Sequence, residues 1–209
     1  MRTISSGFSN GVGAVGLSCL VALATGPAQA AAVRMAQAAS ATVQGCIDDK
    51  APPQRRIESC TRLIGEVPQE QREKAFLARG NAYLDGSDLD HALADYDKAI
   101  ELQPHDKDAL YARGYARHDK GNFDGAIADY SAAIGIDGSD GDTFYSRALS
   151  YQAKGDLDHA IADYTVVIRM KPDHANAFHN RAIAYKKKGD MTAALKDAAE
   201  YQKLTGKGE

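Results

Sequence analysis

Six histidines, 28 carboxylates and three cysteines are the side chains of this 209-residue chain with the means to do chemistry near neutral pH. His91, His105, His118, His159, His174 and His179 are scattered, and they do not form the ligand set of a zinc site. No Cys-x-x-Cys-His haem motif, phosphate-binding glycine loop or nucleophile elbow occurs. The carboxylates recur at regular intervals, which points to solvated faces rather than to an acid–base pair. No cofactor or metal is implied and no catalytic constellation is visible, so the reading is of a protein that recognises rather than transforms, and not an enzyme.

Charge and targeting narrow this further. A net charge of −3 and a pI near 6.1 give no sign of a nucleic-acid or anionic-membrane partner. After the first thirty residues, no apolar run is long enough for a membrane span. Residues 1–30 read as a signal peptide: Arg2 gives a positive start, Val12 to Ala24 is apolar or small, and Ala28-Gln29-Ala30 offers a cleavage site. Ala36-Gln37-Ala38 is a second, weaker cut. Cys19 follows Gly16-Leu17-Ser18, a poor lipobox with the apolar residue one place late, which argues against lipid anchoring. Export leaves Cys46 and Cys60 in an oxidising compartment, where a disulfide between them is the expectation and two buried thiols the alternative.

The elements that position these residues follow from a repeat. Four blocks start 34 residues apart: Phe76 to Tyr83, Leu110 to Arg117, Phe144 to Tyr151 and Phe178 to Tyr185. Behind them lie Ala92-Leu-Ala-Asp-Tyr96, Ala126-Ile-Ala-Asp-Tyr130, Ala160-Ile-Ala-Asp-Tyr164 and Ala194-Leu-Lys-Asp-Ala198. Apolar spacing makes each unit two helices, with turns at Gly121-Asn122, Gly155-Asp156 and Gly189-Asp190 and with Pro104 and Pro172 as stops. Small residues at the eighth position (Gly80, Gly114, Ala148, Ala182) are expected to face Ala92, Ala126, Ala160 and Ala194, so that the paired helices approach closely.

From Glu73 to Gly208 the pattern resembles the tetratricopeptide repeat. The resemblance implies an all-α, right-handed superhelical solenoid of antiparallel helix pairs: four units at 73–106, 107–140, 141–174 and 175–209, the last with its own C-terminal cap. Ile57 to Ile64 with Pro68 reads as the second helix of a capping half-repeat at 46–72, preceded by a mobile segment at 31–45. Each unit carries an arginine and an aspartate sixteen residues apart: Arg79 and Asp95, Arg113 and Asp129, Arg147 and Asp163, Arg181 and Asp197. They read as structural forks between helices, because a row of arginines awaiting an acidic ligand would need no aspartate in every unit.

In the family, first helices line a concave groove. Carried over, the fifth position holds Leu77, Tyr111, Tyr145 and His179; the ninth holds Asn81, Tyr115, Leu149 and Ile183; the twelfth includes His118 and Gln152. Leu77 replaces the lysine with which some relatives clamp a C-terminal carboxylate, and Asp142 and Ser146 stand where basic residues would be needed, so that ligand does not fit. Tyr111, Tyr115 and Tyr145 are expected to form one aromatic patch, extended by Leu149 and margined by Asn81, His118 and Gln152, unless they serve only to pack neighbouring helices. The resemblance implies a periplasmic adaptor, of the kind found in Gram-negative bacteria, that binds a peptide segment or helix of a partner protein. A self-associating structural protein, or an envelope-assembly lipoprotein anchored through Cys19, is the alternative.

Overall fold

The computed structural model describes residues 40–206 together with Gln29. The remainder of the expected signal peptide, with Cys19 and both cleavage sites apart from Gln29, lies outside the described residues. Helical residues 40–47 (α1) are followed by α2 (Pro53–Glu66), a 3-10 turn at Gln69–Gln71, and then four pairs. These are α3 (Glu73–Asp85) with α4 (Leu89–Leu102), α5 (Lys107–Asp119) with α6 (Phe123–Ile136), α7 (Gly141–Lys154) with α8 (Leu157–Met170), and α9 (Ala175–Lys188) with α10 (Met191–Thr205). Each helix packs on the next in sequence, and first helices also touch first helices, which builds a right-handed solenoid of antiparallel pairs. No strand occurs among the described residues.

Local chemistry sets the helix ends. Every helix from α4 to α10 begins on a side chain that accepts a backbone N–H: Asp88, Asp106, Asn122, Asp140, Asp156, His174 and Asp190. Gly121, Gly155 and Gly189 turn the chain between paired helices in the left-handed region. The first unit makes the same turn with Ser87, at φ 61°.

The core is a row of tyrosines. Tyr96, Tyr130 and Tyr164 are buried on the second helices, and their hydroxyls titrate above the usual range because burial disfavours the phenolate. At the eighth position the small residue also seats an aromatic ring, and Ala148 shares one buried cluster with both Ala160 and Tyr164. A Cβ on Gly80 would meet the Tyr96 ring at 2.6 Å, and one on Gly114 the Tyr130 ring at 2.9 Å. The small residue exists to seat a ring, because a tyrosine buried between helices contributes more than a pair of methyl groups.

Residues 40–45, expected within a mobile segment, are instead helical, with Thr42 and Cys46 buried. The helix α1 repeats the geometry of α3 in altered residues. A Cβ on Gly45 would lie 2.8 Å from Ser59 Oγ, the contact that Arg79 makes with Asp95 elsewhere. Next along, Cys46 meets Cys60, Sγ to Sγ 2.10 Å and both fully buried, where Gly80 meets Tyr96. At the other end, α10 leaves Met191, Leu195 and Leu204 exposed, so among the described residues no cap covers its outer face.

Candidate functional site: the wall of first helices

Four arginines fix the wall from behind. In each unit Nε and Nη2 donate to the two oxygens of one aspartate at 2.7–3.0 Å: Arg79 to Asp95, Arg113 to Asp129, Arg147 to Asp163, Arg181 to Asp197. The aspartates are buried and the arginines nearly so. The third nitrogen, Nη1, reaches the second helix of the preceding unit: Thr61, Asp97, Ser131 and Thr165 accept at 2.7–3.0 Å. One guanidinium therefore joins three helices and two units. Phe76, Phe144 and Phe178 lie under three of the guanidinium groups, at 5.5–5.7 Å. Hydrogen bonding to Asp163, working against burial, holds the Arg147 guanidinium above its ordinary pKa. These charges are consumed within the fold and do not face a ligand.

The wall itself is partly spent on its own packing. Tyr111 lies against Tyr130 (centroids 5.6 Å) and its hydroxyl meets Ser146 Oγ at 3.2 Å on the next first helix. Tyr145 lies against Tyr164 and His174, and its hydroxyl accepts from Asn180 Nδ2 at 2.7 Å. Their rings lean, tilted, on the buried Tyr130 and Tyr164 of their own units, so part of the surface expected of an aromatic patch is spent on packing. Tyr111 and Tyr115 still line one cleft. Asn81 and Gln152 accept from the buried Tyr96 and Tyr164 hydroxyls at 2.8 and 3.1 Å, and His118 meets Ser150 Oγ at 2.8 Å. Leu149 is half-buried against the Tyr164 cluster, and the His179 ring lies tilted against Tyr201.

What stays available is at the N-terminal half and at the far end. Tyr115 is 43% exposed and borders a cleft of about 390 Å³ with Leu77, Asn81, Leu84, Asp108 and Tyr111. Val43 and Ile47 hold the corresponding positions on α1. They stand two residues before and after Gly45, as Leu77 and Asn81 stand about Arg79, and both are exposed. Sequence reasoning missed them because α1 lacks the arginine that marks the first helix of each of the four units. At the far end Ile183 and His179 share a hollow of about 490 Å³ with Lys186, Met191, Leu195 and Tyr201. No group of acidic, histidine or cysteine side chains suited to a metal ion occurs among the described residues, and no described helix is long and apolar enough to cross a membrane.

No curated protein matches the chain by sequence. Among solved structures it resembles a MamA protein (TM-score 0.74, 22% identity, 81% of this chain and 93% of that one). MamA from Desulfovibrio magneticus RS-1 is also similar (TM-score 0.75, 16% identity, 81% and 94%). So is YrrB, described as a TPR protein with an unusual peptide-binding site (TM-score 0.66, 20% identity, 73% and 77%). At these identities the likeness establishes the fold. The tetratricopeptide repeat profile matches residues 77–141 and 145–208, more than half of the chain. With its helix pairs, its four-fold pattern and that match, the chain belongs to the tetratricopeptide repeat family, a fold of protein-interaction scaffolds.

Proposed function

We propose that the protein is an exported, periplasmic adaptor that captures an apolar or amphipathic segment of a partner protein on its wall of first helices. The observation that carries this is Tyr115, a large aromatic left exposed on a wall where the Tyr111 and Tyr145 hydroxyls are engaged by neighbouring first helices, beside the cleft formed with Leu77 and Tyr111. Tyrosine with one exposed face suits an anchor for a partner side chain. That a similar array is described as having a peptide-binding site supports a ligand of this kind. Export is supported by the leader-like residues 1–30 and by two cysteines at bonding distance, which an oxidising compartment would hold as a disulfide.

The test is a photo-reactive amino acid placed at Tyr115 or Ile47 in cells. Crosslinks to a protein from these sites, and not from Ile136 on a second helix, are the expected result. Equal capture from all three, or none from any, would remove the wall as the binding surface. Mass spectrometry of the purified protein should show a chain starting at Ala31; an acylated Cys19 would replace the adaptor reading with the lipoprotein one.

A further inference from the structure

The outer face of α10 has kept its apolar residues while losing the polar ones. Met191 and Leu195 hold the positions of Leu89 and Leu93, Phe123 and Ile127, and Leu157 and Ile161, all half-buried in their own units. On α10 they are 50% and 66% exposed. An end unit that served only to stop the array would carry polar residues here. At the same time Thr192 stands where Asp90, Asp124 and Asp158 pair with Lys120, Lys154 and Lys188 of the following unit. Ala199 stands where Thr61, Asp97, Ser131 and Thr165 accept from the following arginine. The face is apolar, yet it is not built for another repeat of the same kind.

Charge narrows the choice of occupant. The unit at 175–209 carries seven Lys and Arg against four Asp and Glu, and Lys186 lines the hollow beside Met191 and Leu195. Residues 40–140 carry nineteen Asp and Glu against twelve Lys and Arg. There the wall exposes Val43, Ile47 and Tyr115, with Asp108 in the cleft and Asp119 at the end of the same helix. Three of the large exposed apolar side chains thus lie on an acidic half and three on a basic end. A chain cannot join these surfaces to each other within itself, because α10 is fixed against α9 at the opposite end of the array.

We propose that a second copy of this chain is an occupant of the wall: α10 of one molecule, with Met191, Leu195 and Leu204, lies on the Val43, Ile47 and Tyr115 surface of the next. This rests on the reading of the wall as a binding surface and names one thing that binds there. The contact is heterologous, so each added molecule leaves one free wall and one free α10, and assemblies lengthen with concentration. Opposite charges at the rim make association strongest at low salt.

Sedimentation equilibrium on the full mature chain tests this. The wild type should gain mass with concentration and lose it in about 1 M salt. Leu195→Glu and Tyr115→Glu should each weaken association about 30-fold. Mixed in equal amounts, those two variants should form a dimer and nothing larger, since one supplies only the wall and the other only α10. Unchanged melting curves would show that both fold, and Asp119→Lys, remote from packing, should weaken assembly as well. A wild type that stays monomeric, or two variants that stay monomeric when mixed, would overturn the proposal. A monomer that still crosslinks another protein from Tyr115 would overturn self-docking alone, whereas a monomer that crosslinks nothing would remove the wall reading with it.

Discussion

Arg147 and Ser131 are hydrogen-bonded across a unit boundary, Nη1 to Oγ at 3.0 Å, while the rest of the guanidinium is closed on Asp163. The same side chain therefore contributes to the fold of its own unit and to the seam with the one before. Arg147→Ala should cost about 3 kcal/mol, because it strands a buried carboxylate. A double-mutant cycle with Asp163→Ala should show clear coupling, and Ser131→Ala should cost about 1 kcal/mol through the seam alone. Lysine at position 147 should recover little, since one ammonium cannot make three directed bonds. Additive losses in urea titrations would mean that the fork does not hold the helices.

Ser87 should be replaceable to advantage. It adopts φ 61° at the turn where the other units have Gly121, Gly155 and Gly189. A side chain there costs about 1–2 kcal/mol, so Ser87→Gly is expected to raise stability by about 1 kcal/mol. A destabilised variant in thermal melts would show that the serine makes a compensating contact.

Acid should act through a buried pair of carboxyls at the start of the first full unit. Burial, and then a hydrogen bond with Asp106, raise the Glu73 pKa from 4.5 to about 6. Burial also opposes ionisation of Asp106, but bonds from Lys74, Glu73 and the Ala109 and Asp108 amides prevail and hold it at about 2. Glu73 binds its proton more tightly when folded, so its contribution is complete below pH 4.5 and is lost as pH rises through 6. Glu73→Gln should therefore be more stable than wild type at pH 7, by up to about 2 kcal/mol, with the difference gone at pH 4. Asp106 has the opposite sign: its contribution is lost only as pH falls from 3.8 towards 2. Denaturation curves for Glu73→Gln at the two pH values decide the matter, and equal stability at pH 7 would refute it.

Tyr115 and Tyr145 should separate binding from folding. Tyr145→Phe removes the bond from Asn180 and should lower stability by about 1 kcal/mol without changing partner capture. Tyr115→Ser should leave the melting temperature nearly unchanged and reduce capture strongly. The reverse pattern would place the partner elsewhere on the array.

The parts of this design that were legible in the sequence are those that repeat in kind. Arginine and aspartate sixteen residues apart recur as the same two residue types, and so do the turns at Gly121, Gly155 and Gly189. The third arginine bond was hidden because its acceptors need only an oxygen: Thr61, Asp97, Ser131 and Thr165 share no residue type across all four. α1 was hidden for a related reason, as Gly45 and Ser59, then Cys46 and Cys60, replace the pairs that identify a unit. Tyr111 and Tyr145 could not be assigned from residue type, since a tyrosine is equally suited to a ligand and to a neighbouring helix. The hollow at α10 follows from the exposure of Met191 and Leu195, whose counterparts Leu157 and Ile161 are half-buried, and residue type alone does not reveal that difference.

The backward reach of the arginines also gives the array a direction in time. Each unit brings a donor to an acceptor that lies earlier in the chain, so a polypeptide emerging from its N-terminus always finds the acceptor already made. Stopping early leaves only a hydroxyl or an exposed carboxylate without its arginine, whereas starting late leaves a guanidinium nitrogen with nothing to hold. A chain ending after Asp140 is expected to fold, and one beginning at Lys107 to fold poorly, as circular dichroism of the two fragments would show. Growth in the order of synthesis, begun on a first pair of helices that two cysteines can lock covalently, is what the seam favours.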